Sequence, residues 1–520
     1  MSLLRRFATV GGSTTTSRLL GFVRDTMMAA ALGTGPVADA FLVAFHLPNL
    51  FRRLFAEGAF ASAFVPLFTR MLEEEGLDAA RRFGSEVLSA LTVMLVALVG
   101  VAIIVMRPLM HGLAPGFIAD PEKFALTVLL TRIAFPYLVL ISLLALYSGA
   151  LNARGRFLAA AMAPAVLNIV FIIALAYILI AHDENSEGAG ILLAIATLVG
   201  GVLQLLVVIM AARRAGILLA FQRPRLTPPV RRLAMLAVPG IIAGGVTQIN
   251  LVIGTMIASF VPGAIAVLGY ADRLYQLPLG IVGATIAVVM LPDLARHLSA
   301  GREDRAVHAQ NRSLEFAMVL TLPAAIALGV LAMPIVSVLY ERGAFRPADT
   351  LATARTLAAF AAGLPAFVLI KVFSPAFFAR ENMRGPMWFA AIGVAVNIVG
   401  SLALFPLFAQ VGIAAATSLS GWINAALLGG ALAWRGHFKA DARLMRTLPL
   451  VLVGAGVMGL AVHVAAIAAA PLLEHSRLAL RVASLGAICI GGVLLFGAFC
   501  MAVGVVDIRA LAAGLRGRRV

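Results

Sequence analysis

Apolar runs closed by polar, glycine or proline positions recur along the whole chain. Fourteen of them fall near 6–32, 36–68, 83–110, 123–152, 158–181, 188–212, 232–261, 265–295, 313–340, 350–379, 386–406, 411–434, 446–472 and 480–505. A bilayer core is crossed by roughly 20 helical residues, so each run is long enough for one transmembrane helix. The pattern predicts an all-α polytopic membrane protein with about fourteen transmembrane helices. Composition agrees, with 62% hydrophobic residues, 12% charged residues and a mean hydropathy of +1.00. Soluble domains are about half apolar and about a quarter charged, so the water-soluble classes are excluded.

Charge then orients the spans. The chain carries 41 Lys and Arg against 24 Asp and Glu, a net charge of +17 and a pI of 11.2. With a cytoplasmic N-terminus, 27 cations fall on the cytoplasmic segments, 7 on the opposite side and 7 inside spans. Cytoplasmic loops are enriched in Lys and Arg, so both termini are expected in the cytoplasm and the span count is expected to be even. The same asymmetry explains the basic pI without a nucleic acid partner. No cleavable signal is expected, because Arg5 and Arg6 precede a polar stretch, Gly11 to Ser17, where an apolar signal core would lie. The two cysteines, Cys489 and Cys500, share a face of the last span and read as small core residues rather than a metal or redox pair.

Punctuating features recur at an offset near 229. Thr26-Met27-Met28-Ala29 matches Thr255-Met256-Ile257-Ala258, Leu47-Pro48 matches Leu277-Pro278, and Phe117, Pro136, Arg154 and Asn168 match Phe345, Pro365, Arg384 and Asn397. The expected organisation is a first lobe at 1–220 and a second at 232–440, six spans each. A cytoplasmic linker follows the first lobe at 221–231, and two appended spans with a basic tail complete the chain at 441–520. Six is even, so the halves share one orientation. Parallel repeats of this kind build alternating-access transporters with a site between the lobes.

The cations inside spans concern function, since a central Arg or Lys costs about 2.5–3.5 kcal/mol on the insertion scale and must face an interior or a hydrated cavity. Arg18, Arg24, Arg52 and Arg53 lie in the first two spans with Asp25, Asp39, His46, Asn49 and Glu57, while Asp272 and Arg273 lie in the eighth. Ser17 and Arg24 share a helix face, as do Arg18 and Asp25. Gly21 is a candidate hinge that lets both arginines point inward. Asp39, His46 and Arg53 follow at intervals of seven, and Arg53 precedes Glu57 by one turn. Pro48 is expected to interrupt the second helix and redirect Asn49 and Arg52. Taken singly, Arg53–Glu57, Arg24–Asp25 and Asp272–Arg273 also read as structural ion pairs. Taken together, five arginines against four acids leave a net positive chamber, and guanidinium forks suit phosphate. The expected ligand is an anion, preferably a pyrophosphate, and a lipid-linked one would explain a cavity that opens sideways. His46 reads as a hydrogen-bonded structural residue or a substrate contact, Lys371 as a partner for a carbonyl near Pro375 or an ion-coupling group, and Arg132 as snorkelling. No Walker loop, HExxH, CxxC pair or nucleophile elbow is present, so the chain is expected to be a transporter, not an enzyme, with no cofactor.

The strings SRLLGFVRD at 17–25, ADAF at 38–41 and LPNLFRRLFAEGAF at 47–60 resemble the MurJ (MviN) family, as do APGF at 114–117 and YADRL at 270–274. The resemblance covers the whole chain. It implies the two-lobed, V-shaped fold of the multidrug/oligosaccharidyl-lipid/polysaccharide exporter superfamily, and the flipping of lipid II across the bacterial inner membrane. It places the family's cavity residues on Arg18, Arg24, Asp39, Arg52, Glu57 and Arg273, and makes the last two spans a groove for the lipid tail. Membrane lipids and cell-wall synthesis proteins are the further partners it suggests. Some family members bind sodium in the second lobe; this sequence offers only Asp272 and Asp293 with Lys371 there, so no metal or coupling-ion site is assigned. A multidrug cation antiporter on the same fold would need an acidic, aromatic-rich chamber, and a non-transporting cell-wall scaffold would be indifferent to loss of the arginines.

Overall fold

The computed structural model describes residues 3–53, 60–475 and 477–505, and among these every regular element is a helix. In chain order they are α1 (Leu3–Leu32), α2 (Pro36–Arg52), α3 (Phe60–Glu74), α4 (Leu77–Ile104), α5 (Met106–Leu113), a short 3-10 turn (Pro115–Ala119), α6 (Pro121–Ala134), α7 (Tyr137–Ala153), α8 (Leu158–Ile180), α9 (Glu187–Arg214) and α10 (Pro228–Ala258). There follow α11 (Ala264–Ser299), α12 (Glu303–Val330), α13 (Ala332–Tyr340), α14 (Pro347–Phe378), α15 (Arg384–Phe408), α16 (Gln410–Trp434), α17 (Ala442–Ala468), α18 (Ala470–Leu473) and α19 (Leu478–Ala502).

Ten segments among the described residues are long and apolar enough to cross a membrane, counting α6 and α7 as one. The other four expected spans coincide with α1, α2 with α3, α10 and α11. The sequence starts and stops these helices by identifiable means. Pro36 opens α2, and the Asp120, Ser186 and Asp441 side chains accept the amides of Lys123, Ala189 and Leu444 at the starts of α6, α9 and α17. Phe135 and Pro136 separate α6 from α7 inside one expected span. Pro48 does not interrupt α2, which stays helical to Arg52. Proline removes its own donor and crowds the carbonyl four residues back, yet the helix continues past it to Arg52.

Two compact units result, Met1–Ala266 with Arg342–Arg346, and Val267–Glu341 with Pro347–Val520. By packing, α10 sits with α3, α4 and α5 in the first unit, although the sequence repeat groups it with the second half. In the first unit α8 lies between α1 and α9, and a ladder of Phe60, Phe64, Phe68 and Phe83 rings fills the space near α3 and α4. Small residues let helices approach closely: a Cβ on Gly200 would stand 2.4 Å from Leu167 Cδ1, and one on Gly201 2.6 Å from Tyr137 Cδ2. In the second unit α16 packs on both α14 and α15, with Gly363 set against Ser418.

The segment 215–227 after α9 is non-helical and strapped to the first unit. Ser85 and Ser89 of α4 accept the Ala220 and Gln222 amides at 3.0 and 2.8 Å, and Thr227 donates to Glu86 at 2.7 Å. Arg154 and Tyr147 donate to the carbonyls of Ala215 and Leu219 at 2.7 and 3.3 Å.

Candidate functional site

In α1 the Arg24 guanidinium is half enclosed by α8. Its Nε and Nη2 donate to Asp25 Oδ1 at 2.9 and 2.6 Å, and its Nη1 donates to Asn168 Oδ1 at 2.8 Å. Three of the five N–H donors are thereby engaged among the described residues. The Phe171 ring of α8 lies 5.8 Å from the guanidinium carbon, a cation–π distance. Asn168 also donates from Nδ2 to the Ser17 carbonyl at 3.0 Å, so α8 grips α1 on the shared face of Ser17 and Arg24. Helix α1 runs unbroken through Gly21, and a Cβ there would stand 3.4 Å from Asn168 Nδ2.

Arg52 ends α2. Asn49 donates to the Phe45 carbonyl at 2.7 Å, which turns its Oδ1 toward Arg52 Nε at 3.1 Å. The Tyr137 side chain of α7 is buried. Tyr137 donates to Gln204 Oε1 at 3.2 Å, and Gln204 donates to the Ala163 carbonyl at 2.8 Å. Within the first unit, α8 thus gathers Ser17, Arg24 and Asp25 of α1 around Asn168, and Asn49 and Arg52 form a second polar pair at the end of α2.

The remaining expected residues are placed differently. Arg18 and Arg53 are exposed. Glu57 lies outside the described residues, and with it the Arg53–Glu57 pair. Asp272 and Arg273 stand on α11 in the second unit, where Asp272 accepts a hydrogen bond from Gln276. Arg132 donates to the Ile103 carbonyl at 3.2 Å. Lys371 reaches the Leu279 carbonyl at 3.4 Å, on a neighbouring helix and not at the Pro375 break, and packs against Gly283. The side chain of Asp293 lies outside the described set.

Asp39 departs most from its expected setting. It is 0% exposed, receives Lys123 Nζ at 2.6 Å, and accepts the amides of Gly263 at 2.8 Å and Ala266 at 3.0 Å. Its carboxylate is engaged by donors from the protein and ties α2 to α6 and to the start of α11, instead of facing the arginines. Lys123 also lies 3.9 Å from the Phe117 ring centroid. Sequence reading counted Lys123 with the loop cations because it begins an apolar run. Asn168 was visible only as one member of the repeat, and Tyr137 carried no signal beyond following Pro136.

Ten long apolar segments, with arginine-containing polar groups inside the first unit, define a multi-pass membrane protein. A solved inward-facing multidrug resistance MATE family transporter of the MOP superfamily shares this fold, with a TM-score of 0.66 at 13% identity over 81% of this chain and 95% of that one. Residues 28–482 match the family model described as "Lipid II flippase MurJ". A relative from Rhizobium meliloti (strain 1021), "Probable lipid II flippase MurJ", is 52% identical over 467 residues, covering 89% of this chain and 87% of its own length. A solved "Lipid II flippase MurJ, inward closed conformation" aligns with a TM-score of 0.78 and 24% identity, over 95% of this chain and 98% of that one. The chain belongs to the lipid II flippase MurJ family.

Proposed function

We propose that this chain carries lipid II, the undecaprenyl-pyrophosphate-linked peptidoglycan precursor, from the cytoplasmic to the outer leaflet of the bacterial inner membrane by alternating access. The family and its relatives' names support the substrate. The observation that carries the mechanism is the pair of part-buried arginines in the first unit, Arg24 and Arg52, each donating to an asparagine side chain. Two oriented forks in a partly dry site bind a pyrophosphate far better than two freely rotating ones. Ser17, Arg18, Arg53, Glu57, Asp272 and Arg273 are assigned to the path around them, with Asp25 and Asn49 as orienting groups and Gly21 and Pro48 as hinges.

In this reading the pyrophosphate relieves the repulsion between the arginines, the lobes at 1–220 and 232–440 close behind it, and the lipid tail stays in the bilayer along the helices of 441–520. The linker and both termini are cytoplasmic. Asp39, with Lys123 and the Gly263 and Ala266 amides, serves as a latch on the outer side instead of a substrate contact. A potential negative inside favours outward movement of an anion by about 2.3 kcal/mol per charge per 100 mV, so potential alone is sufficient in sign.

The test is flipping of labelled lipid II in vesicles containing the purified protein, under an imposed potential of either sign. Arg24→Ala and Arg52→Ala are each expected to lower the rate at least about tenfold, as loss of a hydrogen-bonded charge partner does. A potential negative on the loaded side is expected to raise the rate of the unaltered protein. Full-rate flipping by both variants would overturn the arginine site, and equal rates at both potentials would remove the driving force.

A further inference from the structure

We propose that Asn168 is a positioning residue for Arg24, holding the guanidinium in place for the pyrophosphate without adding negative charge beside it; the inference rests on the reading that Arg24 receives that group. Asn168 is 6% exposed on α8 and one amide serves two points of α1. Its oxygen accepts Arg24 Nη1, and its nitrogen donates to the carbonyl of Ser17, two turns earlier. Between these points lies Gly21, where a Cβ would stand in ordinary contact with the amide nitrogen at 3.4 Å. In an α-helix the Ser17 carbonyl is also the acceptor for the Gly21 amide, so Asn168 supports the backbone at the candidate hinge and the side chain one face-repeat beyond it.

The chemistry of the acceptor matters. Asp25 already offers a negative oxygen to one edge of Arg24. With Asp25 already balancing Arg24, a second carboxylate on the other edge would make the local charge net negative and repel a phosphate. A neutral amide fixes the geometry and adds no further negative charge.

The duplicated half supplies a natural contrast. Asn397, one repeat later, is also 6% exposed, but its Oδ1 accepts the hydroxyls of Ser401 at 3.4 Å and Thr417 at 3.2 Å. At the positions corresponding to Arg24 and Asp25 the second half has Ile253 and Gly254. The buried asparagine recurs in both halves, whereas the arginine it holds is found only in the first.

A double-mutant cycle on lipid II binding to the purified full-length protein tests this. Asn168→Leu is expected to weaken binding about tenfold when Arg24 is present and to add nothing in an Arg24→Ala background. Asn168→Asp is expected to weaken binding while retaining the thermal unfolding midpoint. Asn397→Leu is expected to lower that midpoint without changing affinity. If Asn168→Leu does not accumulate, Asn168→Ser takes its place in the cycle. Additive losses, or equal losses of affinity from the Asn168 and Asn397 variants, would leave Asn168 merely structural and overturn the inference. Unchanged binding by Arg24→Ala alone would instead overturn the function on which it rests.

Discussion

Removing the Lys123 ammonium while Asp39 stays would leave a fully buried carboxylate with two amide donors and no counter-charge. Breaking one partner of such a pair costs about 3–5 kcal/mol, most of it the penalty on the orphaned charge. Lys123→Met is therefore expected to lower the unfolding midpoint in detergent sharply, and adding Asp39→Asn to recover much of the loss. A double variant no more stable than Lys123→Met would refute the pairing. At this scale the sequence was half legible. The spacing of Asp39, His46 and Arg53 predicts one helix face, but Asp39 is buried while Arg53 is exposed beyond the end of α2, because periodicity does not say which helix a residue meets or where the helix stops. Arg24 and Arg52 stood out because an arginine in an apolar run is expensive, whereas Asn168 and Tyr137 cost little there.

Between elements, α12 and α17 are joined by a cluster of charges at their ends. Arg312 bridges Glu315 and Asp441, Glu315 also receives Arg443 at 3.2 Å and the Thr447 hydroxyl at 3.3 Å, and Asn311 donates to the Lys439 carbonyl at 2.9 Å. Burial pushes the Asp441 carboxyl up, but the Leu444 amide and the Arg312 hydrogen bond and charge outweigh it and hold the group below the usual carboxylate range. A carboxyl lowered by folding stabilises fully above its unfolded pKa, near 3.9, and loses that contribution as pH falls through the folded value. The unfolding midpoint of the unaltered protein is thus expected to fall more steeply below about pH 4 than that of Asp441→Asn; parallel profiles would exclude the linkage. Helix existence was legible from apolar runs nearly everywhere. The divisions within 83–110, 123–152 and 313–340 were not, because a local turn in α12 or α6 leaves hydropathy unchanged.

For the whole molecule, orientation rests on the distribution of cations and is open to direct measurement. With Cys489 and Cys500 replaced by serine, an impermeant maleimide on spheroplasts is expected to modify Asp183→Cys and spare Arg223→Cys until the membrane is opened. The reverse pattern would invert the protein. The all-helical class was legible from composition, whereas the packing boundary after Ala266 was not, since the sequence repeat placed α10 with the second half. That boundary has a corollary for biosynthesis. The first unit is completed by Arg342–Arg346, where the Ala344 amide donates to the Ala30 carbonyl at 2.8 Å and Gly33, at φ +58°, leaves no room for a Cβ beside the Ala344 oxygen. At about 5–20 residues per second, the ribosome delivers this closing piece seconds after the rest of the unit has been made. The first unit must therefore wait in the bilayer, unfinished, for a stretch of chain translated some eighty residues after Ala266.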